Sequence, residues 1–374
     1  MHSFPVLAAG AALVVTLTAC GSSSKSGGGS AGSNKVPFTL TADGCNPASL
    51  QLPAGAATFE VKNDGADAVS EMELIQNGRI VGEVENLTPG LSGSFSVTLS
   101  PGTYETSCPN GKTTPKGQLL VKGNVTATTV ASATATSAVA QYRMYAEEEA
   151  TQLVTATAAF VDAVKAGDVA KAKELYPTAR SHYESIEPIA ESFGDLDPEI
   201  DARINDVPAN QFKGFHRIEQ QLWQAGNTDG MAPVADGLLT NVKKLESLIP
   251  TIKLEPAQIA NGAVELMNEV ASSKITGEED RYSHTDLWDF DANDDGAKVA
   301  FDAVRPLVAA KNPALADTVD QQFESTEHAL DAYKTATGFK LYTELSQAQT
   351  RALAAQVEAL ADSLSKVSPL IVGS

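Results

Sequence analysis

Basic residues, histidines and cysteines are all scarce in this chain of 374 residues, and each scarcity removes a class of function. Lys and Arg number 27 against 47 Asp and Glu, a formal charge of −20. A nucleic-acid backbone would be repelled by that balance, which leaves cation binding or simple solubility. Of the five histidines, His2 lies in an N-terminal leader, so His182, His216, His284 and His328 remain. Oxygen donors must therefore dominate any metal site, and oxygen with one or two imidazoles suits iron, manganese or calcium better than copper. Residues 36–121 contain no histidine, which rules out a blue-copper site there, since that site needs two histidines beside its cysteine. There is no His-Glu-x-x-His, no Cys-x-x-Cys pair, no Gly-x-Ser-x-Gly elbow and no Walker-type loop. Beyond the leader, no run is long and apolar enough to span a bilayer.

What is present points to export and two folded units. The length exceeds one typical domain, and 43% hydrophobic residues suffice for sizeable cores. The apolar run from Leu7 to Ala19 is too short for a mature membrane helix and leads into Leu17, Thr18, Ala19 and Cys20. Small residues before a cysteine at such a place resemble a bacterial lipobox, although residues 1–5 carry no Lys or Arg. Residues 1–19 then form a lipoprotein signal, Cys20 carries the lipid, and residues 20–35 are a Ser/Gly tether. The mature chain is expected to be anchored to a membrane rather than to span it. Cys45 and Cys108 are the remaining cysteines. In an oxidising compartment they form either a disulfide or, with Glu71, Met72 or Glu73 nearby, a mixed soft and hard metal site.

Residues 36–122 read as β-structure. Short apolar or alternating runs at 38–40, 57–61, 94–99 and 118–121 are separated by turn signals at 53–55, 63–65, 89–90 and 101–102. This spacing predicts a small β-sandwich. Residues 123–140, rich in Thr, Ala and Ser and free of charge, read as a linker that merges into the following helix. From about residue 141 to 374 apolar residues recur three and four apart, as in Leu153, Ala156, Ala159 and Phe160. Breaks are expected at Gly167, 194–198, Pro208, 226–233, Pro250, Gly277, 293–296, Asn312 and Gly338, which together describe an antiparallel helical bundle.

Candidate ligands gather near those breaks. His216 and Glu219, three apart, lie on one helix face and can hold one metal ion between them. Glu184 and Glu187 share a face likewise, followed by Asp195, Asp197, Glu199 and Asp201. Residues 277–290 pack Glu278, Glu279, Asp280, Asp286 and Asp289 among His284, Tyr282, Trp288 and Phe290. Apolar neighbours would bury such carboxylates, which then need a partner, either a cation or Arg281. Asp291, Asn293, Asp295, Gly296 and Asp302 fit the spacing of an EF-hand calcium loop, or else form a turn capping the next helix.

Together these stretches resemble the EfeO family of the bacterial Efe iron-uptake system. The most specific are residues 152–155, 183–191, 214–219 and 277–290 in the helical half, and Cys45, Glu71 to Glu73 and Cys108 in the β half. The resemblance covers nearly all of the chain after the signal. It implies a cupredoxin-like sandwich followed by an imelysin (peptidase M75-like) bundle. It also implies a His-x-x-Glu metal motif at His216 and Glu219, with a carboxylate site at Glu184, Glu187, Asp201 and Glu279. The family's cupredoxin-like domain is proposed to bind copper or iron, with Cys45, Glu71 and Cys108 as the matching residues. The implied partners are a membrane iron permease and a haem peroxidase that oxidises ferrous iron. Family members are often soluble in the periplasm, whereas a lipobox places this chain on the outer face of the cytoplasmic membrane. The expected function is non-catalytic capture of Fe2+ or Fe3+ for delivery to the permease. The alternatives are an M75-type metallopeptidase, for which His-x-x-Glu supplies two ligands but no evident base, or a surface protein whose acids only solubilise it.

Overall fold

Alternating apolar residues build the N-terminal half of the structure, a computed structural model that describes residues 34–123, 132–194 and 196–373. The signal, Cys20 and the tether up to residue 33 lie outside the described residues, as do residues 124–131 and Asp195. Among the described residues no helix is long and apolar enough to cross a membrane.

Among the described residues nine strands form the sandwich: β1 (Asn34–Thr41), β2 (Gly44–Asn46), β3 (Ser49–Pro53), β4 (Gly55–Asn63), β5 (Met72–Gln76), β6 (Arg79–Val84), β7 (Ser92–Leu99), β8 (Gly102–Ser107) and β9 (Lys116–Lys122). One sheet has the order β2-β1-β4-β7 and the other β3-β9-β8-β5-β6. Val36, Phe38 and Leu40 of β1 alternate inward with Phe59 and Val61 of β4 and Phe95, Val97 and Leu99 of β7. The rings of Phe59 and Phe95 stack across the first sheet at 4.9 Å. All four predicted strand runs and their turns fall where the sequence places them. Cys45 of β2 and Cys108, just beyond β8, are joined in a disulfide across 63 residues. Closing a loop of that length stabilises by about 4 kcal/mol through the unfolded chain. Cys45→Ser should therefore lower stability by roughly 2–5 kcal/mol in chemical unfolding, while cation binding in the helical half stays intact.

The helical half comprises α1 (Ala133–Ala166), α2 (Val169–Glu184), α3 (Glu187–Glu191), α4 (Leu196–Ile200), α5 (Phe215–Gln220), α6 (Ala232–Leu248), α7 (Pro256–Ser272), α8 (Asp286–Lys311), α9 (Pro313–Asp331), α10 (Gln347–Leu364) and α11 (Val367–Ile371). A small hairpin, β10 (Lys334–Thr335) and β11 (Gly338–Phe339), follows α9. Helix α1 begins inside the stretch read as linker, where Ser132 caps it by accepting from the Ala135 N–H.

The expected break at 293–296 is absent. α8 runs through it, so Asp291 to Asp302 form no calcium loop. Helix packing decides the matter: a Cβ on Gly296 would lie 2.4 Å from the Ser185 carbonyl oxygen, so the glycine serves close approach of α8 to the end of α2.

The two halves share a polar seam. Ser96 of edge strand β7 is buried although it points away from the sandwich core, because Asn261 of α7 covers it. The Asn261 amide donates to the Ser96 carbonyl at 3.0 Å and its oxygen accepts the Ser96 N–H at 3.3 Å. An edge strand's free backbone groups are satisfied in this way. Gln258 donates to the Val81 carbonyl at 3.2 Å, and Arg79 reaches the Thr251 hydroxyl at 2.8 Å.

Candidate metal centre

Chain geometry at Gly214 brings the first ligand pair together. Its φ is +80°, and a Cβ there would fall 2.0 Å from the Ile200 carbonyl oxygen. Only glycine fits so close to the end of α4, and the approach sets His216, two residues on, beside Asp201. His216 Nε2 stands 3.2 Å from Glu279 Oε1 and 3.7 Å from Asp201 Oδ1. Nδ1 stands 3.3 Å from Glu219 Oε2 on the same helix face, as the spacing predicts. Glu219 Oε1 accepts the backbone N–H groups of Tyr282 and Ser283 at 2.8 and 2.7 Å. Its orientation is thereby fixed from the loop before α8.

All six residues predicted for the helical site converge. Glu184, Glu187, Asp201, His216, Glu219 and Glu279 are each at most 7% exposed. Ligand atoms of Asp201, His216 and Glu279 lie within 4.8 Å of one another, as do those of Glu184, Glu187 and Asp201. Glu184 and Glu187 do not share one helix: α2 ends at Glu184 and α3 begins at Glu187. They meet through a third residue, Lys274.

The partners of these carboxylates are not the ones the sequence suggests. Arg281 pairs with Glu278 at the surface. Arg180, fully buried in α2, instead pairs with Glu184, with Asp201 and, at 2.8 Å, with Glu279; its Nε lies 3.4 Å from Asp289. Lys274, also fully buried, pairs with Glu184, with Glu187 at 2.8 Å and with Glu269 at 3.0 Å. Arg203, a quarter exposed, holds the other Glu279 oxygen at 2.7 Å and is the cation nearest solvent. Asn293 donates to the Glu184 side chain at 3.1 Å, and Tyr176 donates to Asp280 at 2.9 Å. Sequence reasoning missed Arg180 and Lys274 and assigned Asn293 to a calcium loop instead. Arg180 had a signal: it falls on the stripe of Ala172, Tyr176, Ala179 and Tyr183 that α2 buries.

Acids still outnumber bases here, and the titration directions record it. Burial pushes Glu187 and Asp289 well above the usual carboxyl range, and neighbouring Glu184 and Asp280 add to the respective shifts. Burial would raise Asp201 and Glu279 as well. Arg180 and His216 outweigh it at Asp201, and Arg203 and Lys274 at Glu279, so both are held low. Burial and the Arg180 charge press His216 toward neutrality, yet Asp201 and Glu219 hold it well above the ordinary imidazole value. In this cluster Asp286 Oδ2 and Asp289 Oδ1, both buried, have no hydrogen-bond partner among the described residues. An anionic pocket with one imidazole and unpaired carboxylate oxygens is a donor set for a hard or borderline cation.

The remaining candidates lie apart from this centre. Cys45 and Cys108 are consumed in their disulfide, so neither offers a thiolate, and the set Cys45, Glu71 and Cys108 does not form a thiolate metal site in this state. Glu71 instead sits with Glu73 and Glu83. Glu199 pairs with Lys213 at the surface at 2.6 Å, and His182 with Glu149 at 2.8 Å.

Residues 138–367 match the imelysin family (peptidase M75), and residues 10–121 match the cupredoxin-like domain. Iron uptake system component EfeO of Escherichia coli O157:H7 is 43% identical over 340 residues, 89% of this chain and 90% of that protein. The proteins of the same name from E. coli K12 and Shigella flexneri are each 42% identical over the same shares. Among solved structures, a purple cupredoxin from Nitrosopumilus maritimus aligns at 19% identity over 23% of this chain and 99% of that one, with a TM-score of 0.19.

Proposed function

Since the chain belongs to the imelysin family and to the EfeO iron-uptake components within it, we propose that it captures Fe2+ or Fe3+ outside the cytoplasmic membrane. It then passes the ion to a membrane iron permease. The observation that carries this reading is the buried convergence of His216 with Asp201, Glu279, Glu184 and Glu187 in a pocket where acids exceed bases. His216 Nε2, Asp201 and Glu279 are the primary ligands. Glu219 takes the proton-bearing Nδ1 and orients the ring, as carboxylates commonly do behind a metal-binding imidazole. Glu184 and Glu187 turn from Arg180 and Lys274 to complete the oxygen shell. Iron here is cargo, so these residues bind and release it rather than do chemistry on a third molecule.

The remaining assignments follow from this role. Lipidation at Cys20 tethers the protein to the outer face of the membrane, near the permease. A haem peroxidase that oxidises ferrous iron is the second partner. The copper reading for the sandwich loses its soft donors to the disulfide. A peptidase reading gains little, since a peptide would need access to a site whose candidate ligands are at most 7% exposed.

Anaerobic Fe2+ titration of the mature chain by calorimetry tests the assignment. His216→Ala and Glu279→Gln should each weaken binding by at least about tenfold, and Glu219→Gln by about 10–100-fold. Binding must displace the His216 proton, so affinity should rise with pH across neutrality. Unchanged affinity in both His216→Ala and Glu279→Gln would remove the site from this pocket.

A further inference from the structure

A second gathering of carboxylates lies where α7 crosses the sandwich. Glu73 of β5 is the register partner of Glu83 of β6. Strand alternation sets Glu71 beside Glu73 and Glu85 beside Glu83, so all four share one face. On α7, Glu265 and Glu269 follow Asn261 at successive turns, and Asn261 is the residue that clasps Ser96 of β7. Glu191 arrives from the end of α3. Ligand oxygens of Glu83, Glu191 and Glu265 lie within 4.8 Å of one another, and so do those of Glu71, Glu73 and Glu83.

Glu83 belongs to both groups and is 4% exposed. Among the described residues no hydrogen-bond donor and no cation reaches its carboxylate. Among the described residues, Glu269 alone of this gathering has an ion-pair partner, Lys274 at 3.0 Å on its inner side. A cavity of about 20 Å³ adjoins Glu83, lined also by Glu85, Asn261, Glu265 and Glu269, room for a single water or ion. Like charges opposite each other on paired strands destabilise, as they do at i and i+4 on a helix. A buried carboxylate without a partner adds a desolvation cost. Both faces of the seam carry acids, so the seam is neutralised either by protons that these carboxyls keep or by a cation held between them.

We propose that this seam is a second cation site, in which carboxylates from both domains, Glu83 with Glu191 and Glu265 at its centre, hold one hard divalent or trivalent ion. Among the described residues no nitrogen or sulfur ligand reaches it, which selects Mn2+, Ca2+ or iron over copper or zinc. The ion ties the sandwich to the bundle. Lys274 touches Glu269 of this site and Glu184 and Glu187 of the other, so the two pockets share one counter-charge. The proposal stands independently of the iron-capture reading, because its ligands are different residues.

Equilibrium dialysis of the full mature chain with Mn2+ separates the two. In a His216→Ala/Glu279→Gln background, binding of one Mn2+ is expected to persist, and adding Glu83→Gln or Glu265→Gln should weaken it by at least about tenfold. In the same His216→Ala/Glu279→Gln background, Glu83→Gln, an isosteric change that removes repulsion, should raise the Tm of the chelated protein and abolish the further rise on adding Mn2+. Loss of all Mn2+ binding in the His216→Ala/Glu279→Gln background overturns the seam site and leaves the inner one. Unchanged binding after adding Glu83→Gln and Glu265→Gln together also overturns it.

Discussion

Arg180→Met should cost the metal-free protein about 3–5 kcal/mol of stability near neutral pH, the usual penalty for removing one partner of a buried ion pair. The guanidinium is fully buried and contacts Glu184, Asp201, Glu279 and Asp289. Its loss leaves those carboxylates facing one another without their main counter-charge. Acidification should shrink the deficit, because protonated carboxyls no longer repel. Iron should shrink it too, because a cation among Glu184, Asp201 and Glu279 does what the guanidinium did. The iron-induced rise in Tm is therefore expected to be larger in Arg180→Met than in the parent. Guanidinium unfolding with and without iron is the measurement. A loss below about 1 kcal/mol, the scale of exposed pairs, would mean that water or protons already neutralise the pocket and that Arg180 is not what holds it together.

Arg180 also marks where sequence reading succeeds and where it stops. The domains and strand runs were legible because alternation in residues 36–122 and three-four spacing later are local patterns that the cores enforce. His216 and Glu219 were legible because one helix turn relates them. The convergence of Glu184 with Glu279 was not a matter of spacing: nearly a hundred positions separate them, and only the family resemblance joined them. Lys274 had no signal at all, since it sits in a short 3-10 turn, Lys274–Thr276, with no periodicity to reveal a buried face. The apparent calcium loop misled for a physical reason. Asn293, Asp294 and Gly296 have turn-forming chemistry, but tertiary packing overrides it: Asn293 is held by Glu184 and Gly296 by Ser185. The seam was hidden for a related reason. Alternation puts Glu71 with Glu73 and Glu83 with Glu85 on one face of the sheet, and nothing local shows that α7 covers it.

That excess of covered carboxylates leads to a pH dependence opposite to that of most proteins. The metal-free protein should be most stable on the acid side of neutrality and lose stability as pH rises through about 6 to 8. Burial pushes Asp197 up to about 7, and Glu85 and Glu265 up to about 8, with acidic neighbours adding to each. Glu83, Glu187 and Asp289 are raised by the same causes. Between the ordinary carboxyl range and these raised values, the folded chain binds protons that the unfolded chain has released. Stability then falls as pH rises. One carboxyl raised by three units accounts for about 4 kcal/mol across its window, and coupling among neighbours makes the sum smaller than the parts. His216 acts in the same direction, its contribution full below the ordinary imidazole value and lost as pH rises through its raised one. Asp201 and Glu279, held low, act oppositely: their contribution is present above the ordinary carboxyl range and lost only in stronger acid. They set the acid limit of the optimum. Guanidinium unfolding in chelator between about pH 5 and about pH 8 should show a steady decline, and a flat or rising curve would refute it. Cations change the outcome, because they replace the protons that these carboxyls would otherwise keep. The gap in stability between loaded and metal-free protein should therefore widen with pH. In Glu83→Gln the metal-free decline should be shallower, since one of the carboxyls responsible is gone.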